Sequence, residues 1–95
     1  MLLKLFWKEG CKKCEQAKEI CRASSIEVAE FNIDTVEGLA EACYHQVTLT
    51  PTIVLVDDND KELKKWQSIL QAKEELKHLI FQLNLKKANA NQRNN

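Results

Sequence analysis

The stretch Leu2-Leu3-Lys4-Leu5-Phe6-Trp7-Lys8-Glu9-Gly10-Cys11-Lys12-Lys13-Cys14 decides how the chain is read. Its first part, Leu2 to Trp7, is a short apolar run broken at Gly10, the pattern of a buried strand that ends in a turn. The period then changes. From Cys11 to Ser24 the residues Cys14, Ala17, Ile20 and Cys21 recur at helical spacing, and Ser24-Ser25 closes the segment. The spacing therefore predicts a strand running into a helix whose first turn holds two cysteines, Cys11 and Cys14.

Working outward, Ile26 to Asp34 alternates, with Ala29, Phe31 and Ile33 on one face and Glu30 and Asn32 on the other, as in a strand with one wet side. Asp34 or Thr35 is placed to cap a second helix, in which Val36, Leu39, Ala40, Cys43 and Val47 form an apolar stripe for packing on a sheet. Pro51 precedes the unbroken run Ile53-Val54-Leu55-Val56, the mark of a central strand covered on both faces. Asp57-Asp58-Asn59-Asp60 is a strong turn signal, so Lys61 to Trp66 returns as the other arm of a hairpin, although its alternation is mostly charged. Ile69, Ala72, Leu76, Leu79, Ile80 and Leu83 give a long third helix with one apolar face. Residues 86–95 offer nothing to bury and read as a polar, disordered tail behind a domain of residues 1–85. The predicted class is α/β, in the order β-α-β-α-β-β-α, with a four-stranded mixed sheet and helices on both faces.

Ninety-five residues with 44% apolar content suit one domain and are too few for two. Fourteen Lys plus Arg balance fourteen Asp plus Glu, which gives no reason to expect nucleic acid or an anionic membrane as partner. Lys4 interrupts the first apolar run and Lys8-Glu9 follows it, so no export signal is read there, and no apolar run approaches the roughly 18 residues of a membrane span. A soluble, cytoplasmic protein acting as a monomer is expected. In a reducing compartment four cysteines are metal-binding, redox-active or simply buried, not a structural disulfide framework.

Two thiols in the first turn of a helix can close a small disulfide ring, and the first sits where unpaired backbone N–H groups and the helix dipole favour an anion. A thiol pKa is thereby brought from about 8.5 toward neutrality, and the thiolate is the nucleophile in disulfide exchange. Lys12 and Lys13 add a modest, screened positive charge beside it. Cys11 is accordingly the attacking residue and Cys14 the resolving one. An alternative is a module in which the same pair holds a metal or shares an iron–sulfur cluster between two protomers; a four-thiolate site within one chain would also need Cys21 and Cys43. Those two cysteines read more simply as small buried hydrophobes, and His45 and His78 stand apart from any cysteine spacing that would make a zinc site.

The segment LFWKEGCKKC resembles the thioredoxin strand-to-helix passage that ends in the CxxC active site, and Thr50-Pro51-Thr52 ahead of Ile53 to Val56 is similar to the cis-proline loop and following strand of the thioredoxin and glutaredoxin superfamily. The likeness spans residues 1 to about 85. It implies a thioredoxin-like fold, reduction of protein disulfides without a bound cofactor or metal, and an electron donor such as a thioredoxin reductase or glutathione. It further implies that the Thr50 backbone and Pro51 lie beside Cys11, where family members pair with an extended substrate, with Trp7 flanking as an apolar contact surface. Three features depart from the pattern. Lys12-Lys13 stands where thioredoxins have Gly-Pro and glutaredoxins Pro-Tyr, and Leu5 occupies the place of the aspartate that thioredoxins bury in the first strand. Glu9, the nearest carboxylate, reads as a solvated loop residue. Trp66-Gln67-Ser68 does not match the Gly-Gly-Asp segment with which glutaredoxins hold glutathione, although Lys8, Lys12 or Lys13 could meet a glutathione carboxylate.

Overall fold

The computed structural model describes the backbone of residues 1–93 and the side chains of residues 1–85. Its elements are β1 (Leu2–Trp7), α1 (Lys12–Ala23), β2 (Glu27–Asn32), α2 (Val36–Tyr44), β3 (Thr52–Val56), β4 (Glu62–Trp66) and α3 (Ile69–Arg93). They form one four-stranded sheet in the order β2-β1-β3-β4. β1 runs parallel to β2, with Leu3 opposite Val28, and antiparallel to β3, with Leu5 opposite Ile53; β4 pairs antiparallel with β3. The predicted α/β class and element order are those observed. α3 continues past Leu85, where its apolar stripe ends, to Arg93; the side chains of the expected tail, and residues 94–95 altogether, lie outside the described residues.

The two central strands are apolar because both of their faces are covered. Leu3, Leu5, Ile53 and Leu55 point to one side, where Ala17 and Cys21 of α1, Trp66 of β4, and Ala72 and Leu76 of α3 complete a closed core. Phe6, Val54 and Val56 point to the other side and meet Ala42 of α2, with Phe31, Ile33 and Val47 at the margin. Each fully buried Leu, Ile or Phe here contributes about 1.5–3 kcal/mol relative to exposure, as an upper estimate.

The predicted stripe of α2 is corrected by the structure. Val36 is 87% exposed and Leu39 55%, and Ala40 and Cys43 also face outward. The face turned to the sheet carries Gly38, Ala42 and His45, with Glu41 half-buried beside them. Thr35 caps the helix, accepting a hydrogen bond from the Gly38 N–H at 3.0 Å and donating its own hydroxyl to the Asn32 carbonyl at 2.7 Å. A β-carbon at position 38 would collide with that carbonyl, so glycine allows α2 to approach the end of β2 closely. Close approach at Gly38 sets which face of the helix is inward.

That face meets a charge. Lys4 lies in the middle of β1, is 4% exposed, and turns its ammonium toward α2. Its Nζ lies 3.0 Å from Glu41 Oε2, 2.7 Å from Asp60 Oδ1 in the β3–β4 turn, and 3.0 Å from His45 Nε2. His45 Nδ1 in turn lies 3.3 Å from Glu62 Oε1. Burial alone would lower the Lys4 pKa, but the hydrogen bonds and charges of Asp60 and Glu41 outweigh it and hold it above the ordinary lysine value. A buried cation is tolerated here because every hydrogen of its ammonium has an acceptor within reach.

Candidate active site

The geometry at Cys11 follows from the residues around it. Gly10 adopts a left-handed φ of 73°, which a side chain would resist, and so turns the end of β1 into the start of α1. Cys11 is then the N-cap, with extended backbone (φ −102°, ψ 106°), and helical residues begin at Lys12; the first cysteine caps the helix rather than lying within its first turn. Its Sγ accepts a hydrogen bond from the Cys14 N–H at 3.3 Å, as a serine or aspartate cap would. Cys14, three positions on and 1% exposed, rises under Cys11 with a Cα–Cα separation of 5.3 Å, and the two sulfurs are joined as a disulfide. Cys11 is the half-exposed member of the pair and Cys14 the enclosed one. An external molecule therefore meets Cys11 first.

The other expected site residues fall around this point as follows. Lys12 and Lys13 are exposed in the first turn of α1. Trp7 ends β1 half-buried, and the Lys18 ammonium sits 3.9 Å above its ring centre, a contact that the sequence reading did not anticipate. Because β3 runs antiparallel to β1 and Thr52 pairs with Phe6, the residues preceding Thr52 lie at the same end of the sheet as the loop that leads to Cys11. The Thr50–Pro51 peptide bond is cis. Thr50 is half-buried and Pro51 buried, and the Thr52 hydroxyl donates to the Leu49 carbonyl at 2.7 Å, which ties the segment to itself. Pro51 and Lys13 line one cavity of about 650 Å³, whose other wall is the start of α3.

Leu5, where a thioredoxin would bury an aspartate, is fully enclosed in the apolar face that carries α1. The buried charge of this chain is one residue earlier, Lys4, and faces the opposite side. Strand alternation makes that signal legible after the fact, since a lysine inside the apolar run of a central strand must be buried and must find acceptors.

The remaining cysteines divide. Cys21 is fully buried in the α1 core, and its thiol is pushed up to about 12, first by burial and then by the charge of Glu30. It stays protonated and inert at neutral pH. Cys43, expected inside an apolar stripe, is exposed because α2 presents its other face to the sheet. With Cys21 in one layer and Cys43 on the outside of the opposite one, the four thiols do not converge, and among the described residues no group of three or more His, Cys, Asp or Glu side chains is placed to hold a metal ion. No helix among the described residues is long and apolar enough to cross a membrane.

No protein-family model and no curated protein matches the sequence. Solved structures do match. Thioredoxin 1 of Thermosipho africanus superposes with a TM-score of 0.63 at 18% identity, over 94% of this chain and 99% of that one. A mutant thioredoxin of Halobacterium salinarum gives 0.65 at 21% identity, over 81% of this chain and 72% of that one. A thioredoxin of Thermus thermophilus gives 0.61 at 24% identity, over 90% and 74%. At these identities it is the arrangement of strands and helices that is shared. With β2-β1-β3-β4 order, helices on both faces and a cysteine pair at disulfide distance where α1 begins, the chain has the thioredoxin-like fold.

Proposed function

We propose that this protein is a thiol–disulfide oxidoreductase that reduces disulfides of protein substrates in a reducing compartment such as the cytoplasm. The observation that carries the reading is the half-exposed Cys11 sulfur at the N-cap of α1, hydrogen-bonded by the Cys14 N–H and at disulfide distance from the Cys14 sulfur.

In the reduced protein the helix terminus and the Cys14 N–H stabilise a thiolate on Cys11. That thiolate attacks one sulfur of a substrate disulfide, forming a mixed disulfide and releasing the other sulfur as a thiolate. The released thiolate, or water, takes the proton of Cys14. Cys14 then attacks the Cys11 sulfur, forming the Cys11–Cys14 bond and releasing the second substrate thiolate. Two electrons pass to the substrate, and the protein is left as the intramolecular disulfide. A thiol or dithiol donor, such as a thioredoxin reductase or glutathione, reverses that oxidation by the same exchange. Leu5 supplies no carboxylate beside Cys14, so proton transfer from Cys14 falls to the departing thiolate or solvent. Trp7, Lys12, Lys13, Thr50 and Pro51 form the surface against which the substrate lies, with the backbone at Thr50 offering polar groups to an extended chain.

A four-thiolate metal site within one chain is not favoured, because Cys21 and Cys43 lie in different layers of the fold. The test is a pair of variants assayed with a disulfide-bonded protein. Cys11→Ser is expected to lower the reduction rate by more than about 10³-fold, whereas Cys14→Ser is expected to accumulate a mixed disulfide with Cys11, visible by mass spectrometry. Reduction undiminished in Cys11→Ser contradicts the reading.

A further inference from the structure

The cavity beside the cysteine pair has a composition that the exchange chemistry does not require. One wall is the face of α1 bearing Lys13, Gln16 and Ile20; the other is the start of α3, bearing Leu70 and Lys73; Pro51 closes the end. Lys13 is two residues from Cys11 and shares this lining with Pro51, so the groove opens next to the exposed end of the cysteine pair. Lys13 and Lys73 are both exposed, and among the described residues neither is held in an ion pair, whereas Lys18 and Lys64 are paired with Glu15 and Glu75. Glu19 is the single carboxylate of the lining against these two ammonium groups. Leu70 is 70% exposed and lines the same groove, offering an aliphatic surface beside them.

We infer that this groove selects protein disulfides whose attacked cysteine is flanked by an acidic side chain, the carboxylate lying between Lys13 and Lys73 and the adjoining aliphatic part of the chain resting on Leu70 and Pro51. The inference rests on the oxidoreductase reading and names the substrate class of that same site. Charges of this kind act on encounter and orientation more than on the exchange step itself. Each exposed pair contributes little, and two acting on one carboxylate give a preference of about five- to tenfold at low ionic strength, reduced toward unity by salt.

The experiment compares reduction rate constants for three disulfide-bonded peptides that differ in one residue beside the cysteine, Glu, Gln or Lys, with the wild-type protein and with the doubly reversed variant Lys13→Glu/Lys73→Glu. Ratios between peptides are taken within each protein, so that any effect of the substitutions on Cys11 itself cancels. The wild type is expected to reduce the Glu peptide about five- to tenfold faster than the Lys peptide, and the reversed variant to invert that order. Glutathione disulfide and cystamine, one carboxylated and one cationic, are measured alongside. Equal rates for the three peptides, or a Glu preference that survives charge reversal, overturns the assignment while leaving the oxidoreductase reading intact. So does a preference confined to glutathione disulfide over cystamine, which would make the occupant a small carboxylated disulfide. If no peptide is reduced at all, it is the oxidoreductase reading that has failed.

Discussion

The two faces of the sheet are built on different principles. The face under α1 and α3 is dry: Leu3, Leu5, Ile53, Leu55, Cys21 and Leu76 pack without a charge among them. The face under α2 buries an ammonium and an imidazole, Lys4 and His45, and holds them with the partly exposed carboxylates of Glu41, Asp60 and Glu62. The candidate chemistry sits on the rim of the dry face, where α1 starts, and not at the buried charge cluster. A helix that must hold one sulfur in place at its first turn gains from a rigid apolar base. A helix with only nine residues and a glycine in its contact face is secured instead by polar links to β1, through Glu41 and Lys4, and to the start of β4, through His45 and Glu62.

Substitutions can break or sharpen that contrast, and urea unfolding measures each of them. Leu5→Ala removes a fully buried side chain from the dry face and is expected to cost about 3 kcal/mol. Gly38→Ala drives a methyl into the Asn32 carbonyl; α2 must retreat from β2, at a cost of about 2 kcal/mol despite the better helix propensity of alanine. Lys4→Met keeps most of the packing volume and leaves His45 without its Nε2 partner, while the partly exposed Glu41 and Asp60 can hydrate, so only about 1 kcal/mol is expected. Val36→Thr and Leu39→Gln, on the stripe that periodicity marks as the contact face, are expected to change stability by less than about 0.5 kcal/mol. A large loss at Leu39 would mean that the outward face of α2 is covered after all.

The Lys4 cluster has a pH signature with a definite sign. Asp60 is lowered, first by its hydrogen bond to Lys4, so its contribution is present above the ordinary carboxylate pKa and is lost as pH falls through the lowered value. Lys4 is raised, so its contribution is complete below the ordinary lysine pKa and is lost as pH rises through the raised value. The stability difference between wild type and Lys4→Met should therefore shrink as pH falls through the lowered Asp60 value and as it rises through the raised Lys4 value. A difference that stays constant down through the carboxylate range and up through the lysine range would contradict the cluster.

These two faces also explain what was legible in the sequence. The dry face announces itself: the apolar run of β1, interrupted at Lys4, the unbroken run of β3 and the spacing of Cys14, Ala17 and Cys21 in α1 each point to burial, and burial is where they are found. On α2 the same kind of periodicity selected the wrong stripe. Val36, Leu39, Ala40 and Cys43 follow helical spacing, but so do Gly38, Glu41, Ala42 and His45, one phase away. Hydrophobicity prefers the first set; close approach at glycine and the acceptors demanded by Lys4 prefer the second, and they prevail. The candidate site was legible in its two cysteines, since CxxC at a strand-to-helix junction is a local pattern. The cavity that joins Lys13 to Lys73 was not, because α1 and α3 come together only through the tertiary packing of the dry face.

The proposed chemistry requires Cys11 to be a stabilised thiolate at a helix terminus. The direct measurement is the pH dependence of alkylation of reduced protein, followed by mass spectrometry at each cysteine. Cys11 should react with a midpoint clearly below the value of about 8.5 for free cysteine, while buried Cys21 stays unreactive across the same range. A Cys11 that ionises no more readily than free cysteine would contradict the account.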